Sequence, residues 1–393
     1  MTRKFLLLLA LVLAAALLPG GALAEADALF DEASGCYFAE GEDRDLERAI
    51  ELYTQAAELG HTRAQTTLAF IYFAGENSAP DYDKAFEWFT RAAEQDDPTA
   101  LYNLGYMHFL GTGVEQDLGA AAELFTRAAD QGELGAQTTL AYMYYTGNGV
   151  EQDYDKAFEL TVPAAEAQYS IAQSNLAQMY FYGRGTEQDY DKALELYTLA
   201  AEQCVPEAMY YLGVMYENGC AVEADLNRAA EWYALAAEQG YADAIEALYQ
   251  LAFDYDADED LARAVELLNQ CVELGHVGAH NTLAELYRDG TGVEQDCEKA
   301  AELYAAVLDA GDPVTQVGLG HLYENGLGVA QDFDRAFELY TLAAEQDDPV
   351  ALYKLGAMYE NGCAVEADVD LAREYYTRAA EQGCEEAAAK LED

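Results

Sequence analysis

The residues of this chain that could do chemistry are its acids, histidines, thiols and aromatics. Asp254-Tyr255-Asp256-Ala257-Asp258-Glu259-Asp260 alternates carboxylates much as a calcium loop does. An EF-hand loop needs Gly at its sixth position and Glu at its twelfth. Glu259 and Val265 stand there instead. In a chain with 73 Asp and Glu residues a solvated acidic loop is the simpler expectation, with calcium as its rival. His276 and His280 are four apart and could share a helical face, but two ligands do not make a zinc site. His276 holds the same turn position as His61, which favours a structural role. His108 and His321 fall within helical patterns. Four serines follow residue 24, with no G-x-S-x-G and no evident nucleophile–histidine pairing. Paired carboxylates occur everywhere and discriminate nothing. No catalytic residue, metal site or cofactor is expected.

The seven cysteines are Cys36, Cys204, Cys220, Cys271, Cys297, Cys363 and Cys384. An odd count leaves at least one unpaired. Cys204 and Cys220 flank a helix, as do Cys363 and Cys384, which separates each pair by roughly 15–18 Å at 1.5 Å per residue. A disulfide needs Cα atoms within about 7 Å. Mainly free thiols are therefore expected.

The elements that must position these groups follow a fixed period. Small-residue pairs recur every 36 residues, from Ala56-Ala57 through Ala92-Ala93, Ala128-Ala129, Ala164-Ala165 and Ala200-Ala201 to Ala236-Ala237. Cys271-Val272 comes one residue early; Val307-Leu308, Ala343-Ala344 and Ala379-Ala380 resume the period. A period of this length signals a solenoid, whose units bury their apolar faces only by stacking. One unit reads well from Ala136 to Gln168. Ala136 to Gly147 is a buried helix, helix A; Tyr154 to Ala167 is helix B. Counting Ala136 as zero, position 4 is Leu in every repeat from the second on, as at Leu68, Leu140 and Leu355. Position 7 is Ile, Met or Leu, position 8 is mostly Tyr, and position 5 is Gly or Ala except at Tyr249. Positions 0, 4, 7, 8 and 11 share one helical face.

The loop Gly147-Asn148-Gly149-Val150-Glu151-Gln152-Asp153 recurs at Gly111, Gly183, Gly290 and Gly326. Gly147 suits a left-handed C-cap and Asp153 an N-cap. The G-x-G is punctuation: no strand precedes it, and the acid beside it repels phosphate. Asp97-Pro98, Asp312-Pro313 and Asp348-Pro349 start helices cleanly. Repeat seven departs most, with Tyr249, Ala252 and Tyr255 out of pattern. Pro163 interrupts helix B of repeat four, where a local bend is expected.

The face of helix A opposite the core uses positions 2, 6 and 9. In repeats two to five it carries Phe70, Phe73, Tyr102, Tyr106, Phe109, Tyr142, Tyr145 and Phe181. Later, position 9 becomes Glu217, Arg288, Glu324 and Glu360, and the stripe fades. Exposed aromatic surface commonly marks an interface. These eight residues are the candidate partner-binding set. The competing expectation is that the rings pack between adjacent A helices.

The A-x3-L-G-x2-Y-x2-G helix, the G-x-G-V-x-x-D loop and the Y-x-x-A-A end of helix B resemble the Sel-one-like repeat (SLR) family, relatives of the tetratricopeptide repeat. The resemblance covers nearly the whole chain after residue 24. It implies a right-handed all-α solenoid of about ten helix-turn-helix repeats, or about twenty helices. It also implies protein–protein contact through the concave surface. Some secreted relatives carry a disulfide in each repeat; this chain lacks the regular cysteine pair, so those bridges do not carry over.

Three segments are expected. Residues 1–24 read as a signal peptide: Arg3-Lys4, an apolar run from Phe5 to Leu18, then Ala22-Leu23-Ala24 before the cut. An uncleaved anchor is the rival reading. Residues 25–384 form the solenoid, and 385–393 a polar capping helix. Loss of Arg3 and Lys4 takes the net charge from −53 to −55. Such a chain repels nucleic acid and attracts cations and basic proteins, although surface acid also serves solubility. The expectation is a secreted or periplasmic, monomeric, non-enzymatic scaffold for a protein or peptide partner, with no membrane span after the leader. The alternatives are a hydrolase assembled across repeats and a calcium-dependent surface or spacer protein.

Overall fold

The computed structural model describes residues 20–39, 44–76, 79–254 and 261–392, which hold twenty-one α-helices and no strand. Most of the expected leader, and Tyr255 to Asp260 of the acidic loop, lie outside the described residues. Helix Gly20–Tyr37 runs through the Ala24–Glu25 junction. It is followed by Leu46–Glu58, and the two form repeat one. The A and B helices of repeats two to five are Thr62–Ala74 and Tyr82–Ala93, Pro98–Leu110 and Leu118–Ala129, Leu134–Thr146 and Tyr154–Glu166, and Ser170–Tyr182 and Tyr190–Glu202. Repeats six to ten pair Pro206–Asn218 with Leu226–Glu238, Ala242–Asp254 with Leu261–Glu273, Val277–Asp289 with Cys297–Ala306, Pro313–Asn325 with Phe333–Ala344, and Pro349–Asn361 with Val369–Glu381. The last described helix is Glu385–Glu392.

Local chemistry sets these ends. The Asp97 carboxylate accepts the Ala100 N–H at 2.8 Å, with Pro98 at the first helical position. Asp348 does the same for Ala351 at 2.8 Å. Each such cap contributes about 1 kcal/mol. His61 and His276 are caps too: their Nδ1 atoms accept the N–H of Ala64 and Ala279 at 3.0 and 3.1 Å. At the other end, Gly147 closes helix A at φ 76° and donates to the Met143 carbonyl at 2.8 Å. Gly149, at φ 79°, has a different reason: a Cβ there would lie 2.5 Å from Leu118 Cβ of the preceding repeat. The second glycine of the loop is therefore the place where one repeat touches the helix B before it.

Helix A buries its expected face. Position 0 is fully buried from Ala64 to Ala387, Thr315 included, and position 4 is buried from Leu68 to Leu355. Position 7 is buried except at Leu286, which is half-buried. The position-8 tyrosines are half-buried, and several have a cation from the following helix B over the ring. Lys84 lies 4.8 Å from the Tyr72 centroid, Lys192 4.7 Å from Tyr180, and Lys299 4.2 Å from Tyr287.

The chain splits into two compact units, Met1–Leu199 and Ala200–Asp393. In the first, one buried cluster runs from Phe30 to Met143, and Ala164, Ala165, Ala172 and Leu176 belong to another. The second unit has clusters around Tyr233 and Leu268, around Tyr304 and Leu319, and around Tyr340 and Tyr376. Of two breaks in the sequence pattern, one leaves a visible mark. Where Val307-Leu308 replaces the small pair, helix B stops at Ala306 and a 3₁₀ turn spans Leu308–Ala310. Helix Tyr154–Glu166 continues through Pro163, whose carbonyl takes the Ala167 N–H at 3.0 Å. The seven cysteines are all free thiols. Cys271 is buried, which pushes its thiol up to about 12.

Candidate binding face and ring slots

Helix B sends one large side chain per repeat toward helix A. The column is Tyr53, Phe89, Phe125, Thr161, Tyr197, Tyr233, Leu268, Tyr304, Tyr340 and Tyr376, and all ten are buried. In eight repeats the residue is a ring. The small residue at position 5 of helix A makes room for it. A Cβ on Gly105 would stand 2.8 Å from Phe125 Cε1; on Gly320 it would stand 2.8 Å from Tyr340 Cε1. The ring slot is therefore a repeated device, and glycine or alanine at position 5 is its floor.

Position 9 of helix A forms the outer wall. The Tyr340 hydroxyl donates to Glu324 Oε2 at 2.8 Å, and Tyr376 donates to Glu360 Oε2 at 2.7 Å. Tyr233 bonds Glu217 in the same way. The next repeat then adds a cation from position 3. Lys354 Nζ is 2.8 Å from Glu324 Oε2, and Lys390 Nζ is 2.7 Å from Glu360 Oε2. Lys390 first, and Tyr376 second, hold the Glu360 carboxyl below the usual carboxylate range. Burial, then the nearby Glu324 charge, pushes the Tyr340 phenol up.

The eight candidate aromatics sit around the same slots in the first unit. Phe70, Tyr106 and Tyr142, all at position 6, are the exposed ones, at 40%, 38% and 50%. The other five are half-buried. Tyr102 and Phe109 lean on Phe125, with centroids 5.8 and 6.3 Å away. Phe70 meets Phe89 edge-on at 5.2 Å. Phe73, Tyr145 and Phe181 each pair with the first ring of their own helix B, at 5.3 Å from Tyr82, Tyr154 and Tyr190. Six of the eight thus meet rings of the same repeat's helix B, Tyr106 lies between Tyr102 and Phe109 of its own helix, and Tyr102 also packs against the next helix A, where a Cβ on Gly135 would stand 2.9 Å from its Cζ. The reason is angular: at about 100° per residue, positions 5, 9 and 2 fall within roughly 60° of one another. The side that admits the helix-B ring carries these aromatics too.

Repeat four differs. Thr161 stands where the ring should be, and its Oγ1 donates to the Ala157 carbonyl at 2.7 Å. A cleft remains, lined by Ala141, Tyr142, Tyr145, Ala157, Thr161, Asn175, Gln178 and Met179. Its volume is about 20 Å³, room for one water. The Arg184 guanidinium lies 5.2 Å from the Tyr145 centroid and 4.9 Å from that of Tyr182, and it donates to the Tyr145 hydroxyl. The cleft has no signature in the columns of helix A. Aligning helix B at the same period shows Thr161 and Leu268 as the two positions without a ring.

Among the described residues no group of three or more His, Cys, Asp and Glu side chains is placed to hold a metal. No described helix is long and apolar enough to cross a membrane.

Comparison with known proteins gives a consistent assignment. The profile of the Sel1 repeat matches nine segments: 32–61, 62–97, 98–133, 135–169, 170–203, 206–241, 278–312, 313–348 and 349–384. The unmatched stretch holds repeat seven, the most divergent in sequence. Among solved structures, the chain is similar to c5321, a protective antigen of uropathogenic Escherichia coli strains that displays an SLR fold. Identity is 30%, with 93% of this chain and 79% of that one covered, at a TM-score of 0.58. A Sel1 repeat protein from Oxalobacter formigenes is 28% identical over 85% of this chain and 87% of that one, at a TM-score of 0.48. The comparison with curated proteins gives no match. Nine profile matches spread along the ten helix pairs show that the chain belongs to the Sel1 repeat family.

Proposed function

We propose that this chain is a secreted, non-enzymatic scaffold that binds a polypeptide on the helix-A face of repeats two to five. The reading starts from the family, since Sel1 repeat folds suggest protein–protein contact. One observation carries the location of the face. Phe70, Tyr106 and Tyr142 are solvent-exposed rings at one helical position, spaced 36 residues apart in consecutive repeats. Isolated exposed rings are ordinary, but a periodic row is the kind of surface that supplies anchors to a partner. Tyr102 and Phe109 flank Tyr106, with centroids 6.0 and 6.3 Å away. A concave setting is the usual one for this face in such arrays.

A net charge of −53 favours a basic partner and steers it in from a distance. Export is supported by Arg3-Lys4, the apolar run to Leu18 and the Ala22-Leu23-Ala24 motif. The description of c5321 as a protective antigen fits an extracytoplasmic chain. The array acts as a monomer, with residues 25–384 as the binding solenoid and 385–393 as its cap.

The test is peptide display. Random peptides are panned against the wild-type chain and against a variant carrying Tyr106→Ser and Tyr142→Ser. The expected result is enrichment of basic, aromatic-containing peptides on the wild type. The variant should lose at least about tenfold in affinity for them, with little change in melting temperature. Equal enrichment on both chains would remove this face as the binding surface.

A further inference from the structure

We propose that Asn148 is a modification site, where the chain converts its own asparagine to aspartate and isoaspartate with water as the only co-reactant. The inference stands apart from the docking face: it rests on the loop of repeat four, and no partner enters it.

The reaction is least hindered where glycine follows asparagine, because glycine offers its amide nitrogen with no side chain beside it. The Gly149 nitrogen attacks Asn148 Cγ. An N–Cγ bond forms, the Cγ–Nδ2 bond breaks, and ammonia leaves with the proton of the Gly149 amide. The five-membered imide then takes up water. Opening at Cγ gives aspartate. Opening at the main-chain carbonyl gives isoaspartate, in which the backbone runs through Cβ and Cγ. Nothing is oxidised or reduced.

The sequence holds four Asn-Gly pairs, starting at Asn148, Asn218, Asn325 and Asn361. The last three end a helix A. The glycine after each is a left-handed C-cap whose N–H donates to a carbonyl four residues back, on Met215, Leu322 and Met358. The carboxamides are tied as well. Nδ2 of Asn218, Asn325 and Asn361 donates to the carbonyls of Val214, His321 and Ala357 at 2.9, 2.9 and 2.8 Å. Nucleophile and electrophile are thus both held in bonds that must open first. Asn148 lies beyond the Gly147 cap, and both it and Gly149 are exposed. Among the described residues neither the Asn148 carboxamide nor the Gly149 N–H has a hydrogen-bond partner. Other repeats place Thr112, Arg184, Thr291 and Leu327 between the two glycines.

The position makes the change felt. Gly149 is seated on the preceding repeat, where a Cβ would lie 2.5 Å from Leu118 Cβ. Isoaspartate lengthens the main chain by one CH₂ directly before that seat. Conversion therefore loosens the packing of repeat four on repeat three.

The test follows the full chain, kept warm at mildly alkaline pH. Mass spectrometry reads the four Asn-Gly peptides, with fragmentation that separates aspartate from isoaspartate. Asn148 should convert at least about tenfold faster than each of the other three, the factor set by the two bonds that must open there. In guanidinium the four rates should converge, because the same dipeptide is then presented four times. The aged wild type should melt below the fresh chain. Asn148→Thr, which copies Thr112 and Thr291, should melt like the fresh wild type and hold that value on ageing. Similar rates in the folded chain, faster conversion at a capped pair, or a difference that persists in guanidinium overturns the assignment. An aged wild type that melts like the fresh chain overturns the loosening of the stack. So does an aged Asn148→Thr that falls as far as the wild type.

Discussion

The slot around Phe125 and the slot around Tyr340 are the same piece of architecture solved with opposite chemistry. Both rings are fully buried against a glycine of helix A. In the first unit the outer wall is Phe109, and the contact is ring on ring at 6.3 Å. In the second unit the outer wall is Glu324, which accepts the Tyr340 hydroxyl and the Lys354 ammonium, each at 2.8 Å. A buried hydroxyl costs free energy unless it is bonded. Phe goes with Phe73 and Phe109 at position 9 in repeats two and three, and Tyr with Glu217, Glu324 and Glu360 in repeats six, nine and ten, while repeats five and eight combine Tyr197 with Phe181 and Tyr304 with Arg288. At these two slots the aromatic wall stands with a phenyl and the acidic wall with a phenol that bonds it.

The largest test of this equivalence is to write repeat four into the second unit. Tyr340→Thr removes the ring and strands Glu324 with only its lysine. A loss of about 3–5 kcal/mol is expected in denaturant unfolding, the range for deleting a buried ring. A loss below about 1 kcal/mol would mean that the rings do not set the spacing of the helices.

A smaller effect sharpens the role of position 9. Phe125→Tyr introduces a hydroxyl opposite Phe109 with no acceptor, at a cost of about 1–3 kcal/mol. Adding Phe109→Glu should recover part of that loss, since it rebuilds the later pair. Chemical melts of the two single variants and the double variant close the cycle. Additive losses would break the proposed coupling.

The smallest effect is in the pH dependence. The Glu360 carboxyl is held below its usual range, first by Lys390 and then by Tyr376. A lowered folded-state pKa adds stability above the ordinary carboxylate pKa, and that stability disappears as pH falls through the folded value. Wild type should therefore melt higher than Glu360→Gln near neutrality, with the gap narrowing below about pH 4.5. No comparable term exists at Phe125. A gap that stays constant down to acid would show that this pair contributes nothing through its charge.

Much of this was legible in the residues. Helix A announced itself because its buried positions repeat at 36 residues with hardly a change of type, and Asp, Pro and Gly marked the ends. The structural duty of His276 was also legible, through its match to His61. The slots were less so. Position 5 is legible as small, but not its occupant, a ring from helix B of the same repeat. The lean of Tyr102 and Phe109 onto Phe125 follows from that occupant. Thr161 was invisible for a plainer physical reason: an absent ring has no motif, and nearby Pro163 was the louder irregularity.

The final helix, Glu385–Glu392, carries a consequence of its own. Its Ala387, Lys390 and Leu391 stand at positions 0, 3 and 4, the stretch that opens helix A of every unit. Lys390 serves Glu360 as Lys354 serves Glu324, and Arg373 reaches the Leu391 carbonyl at 3.4 Å. The end of the array is thus written in the same grammar as its interior. A 36-residue module inserted upstream would therefore meet the same lysine-to-glutamate pairing between neighbouring units.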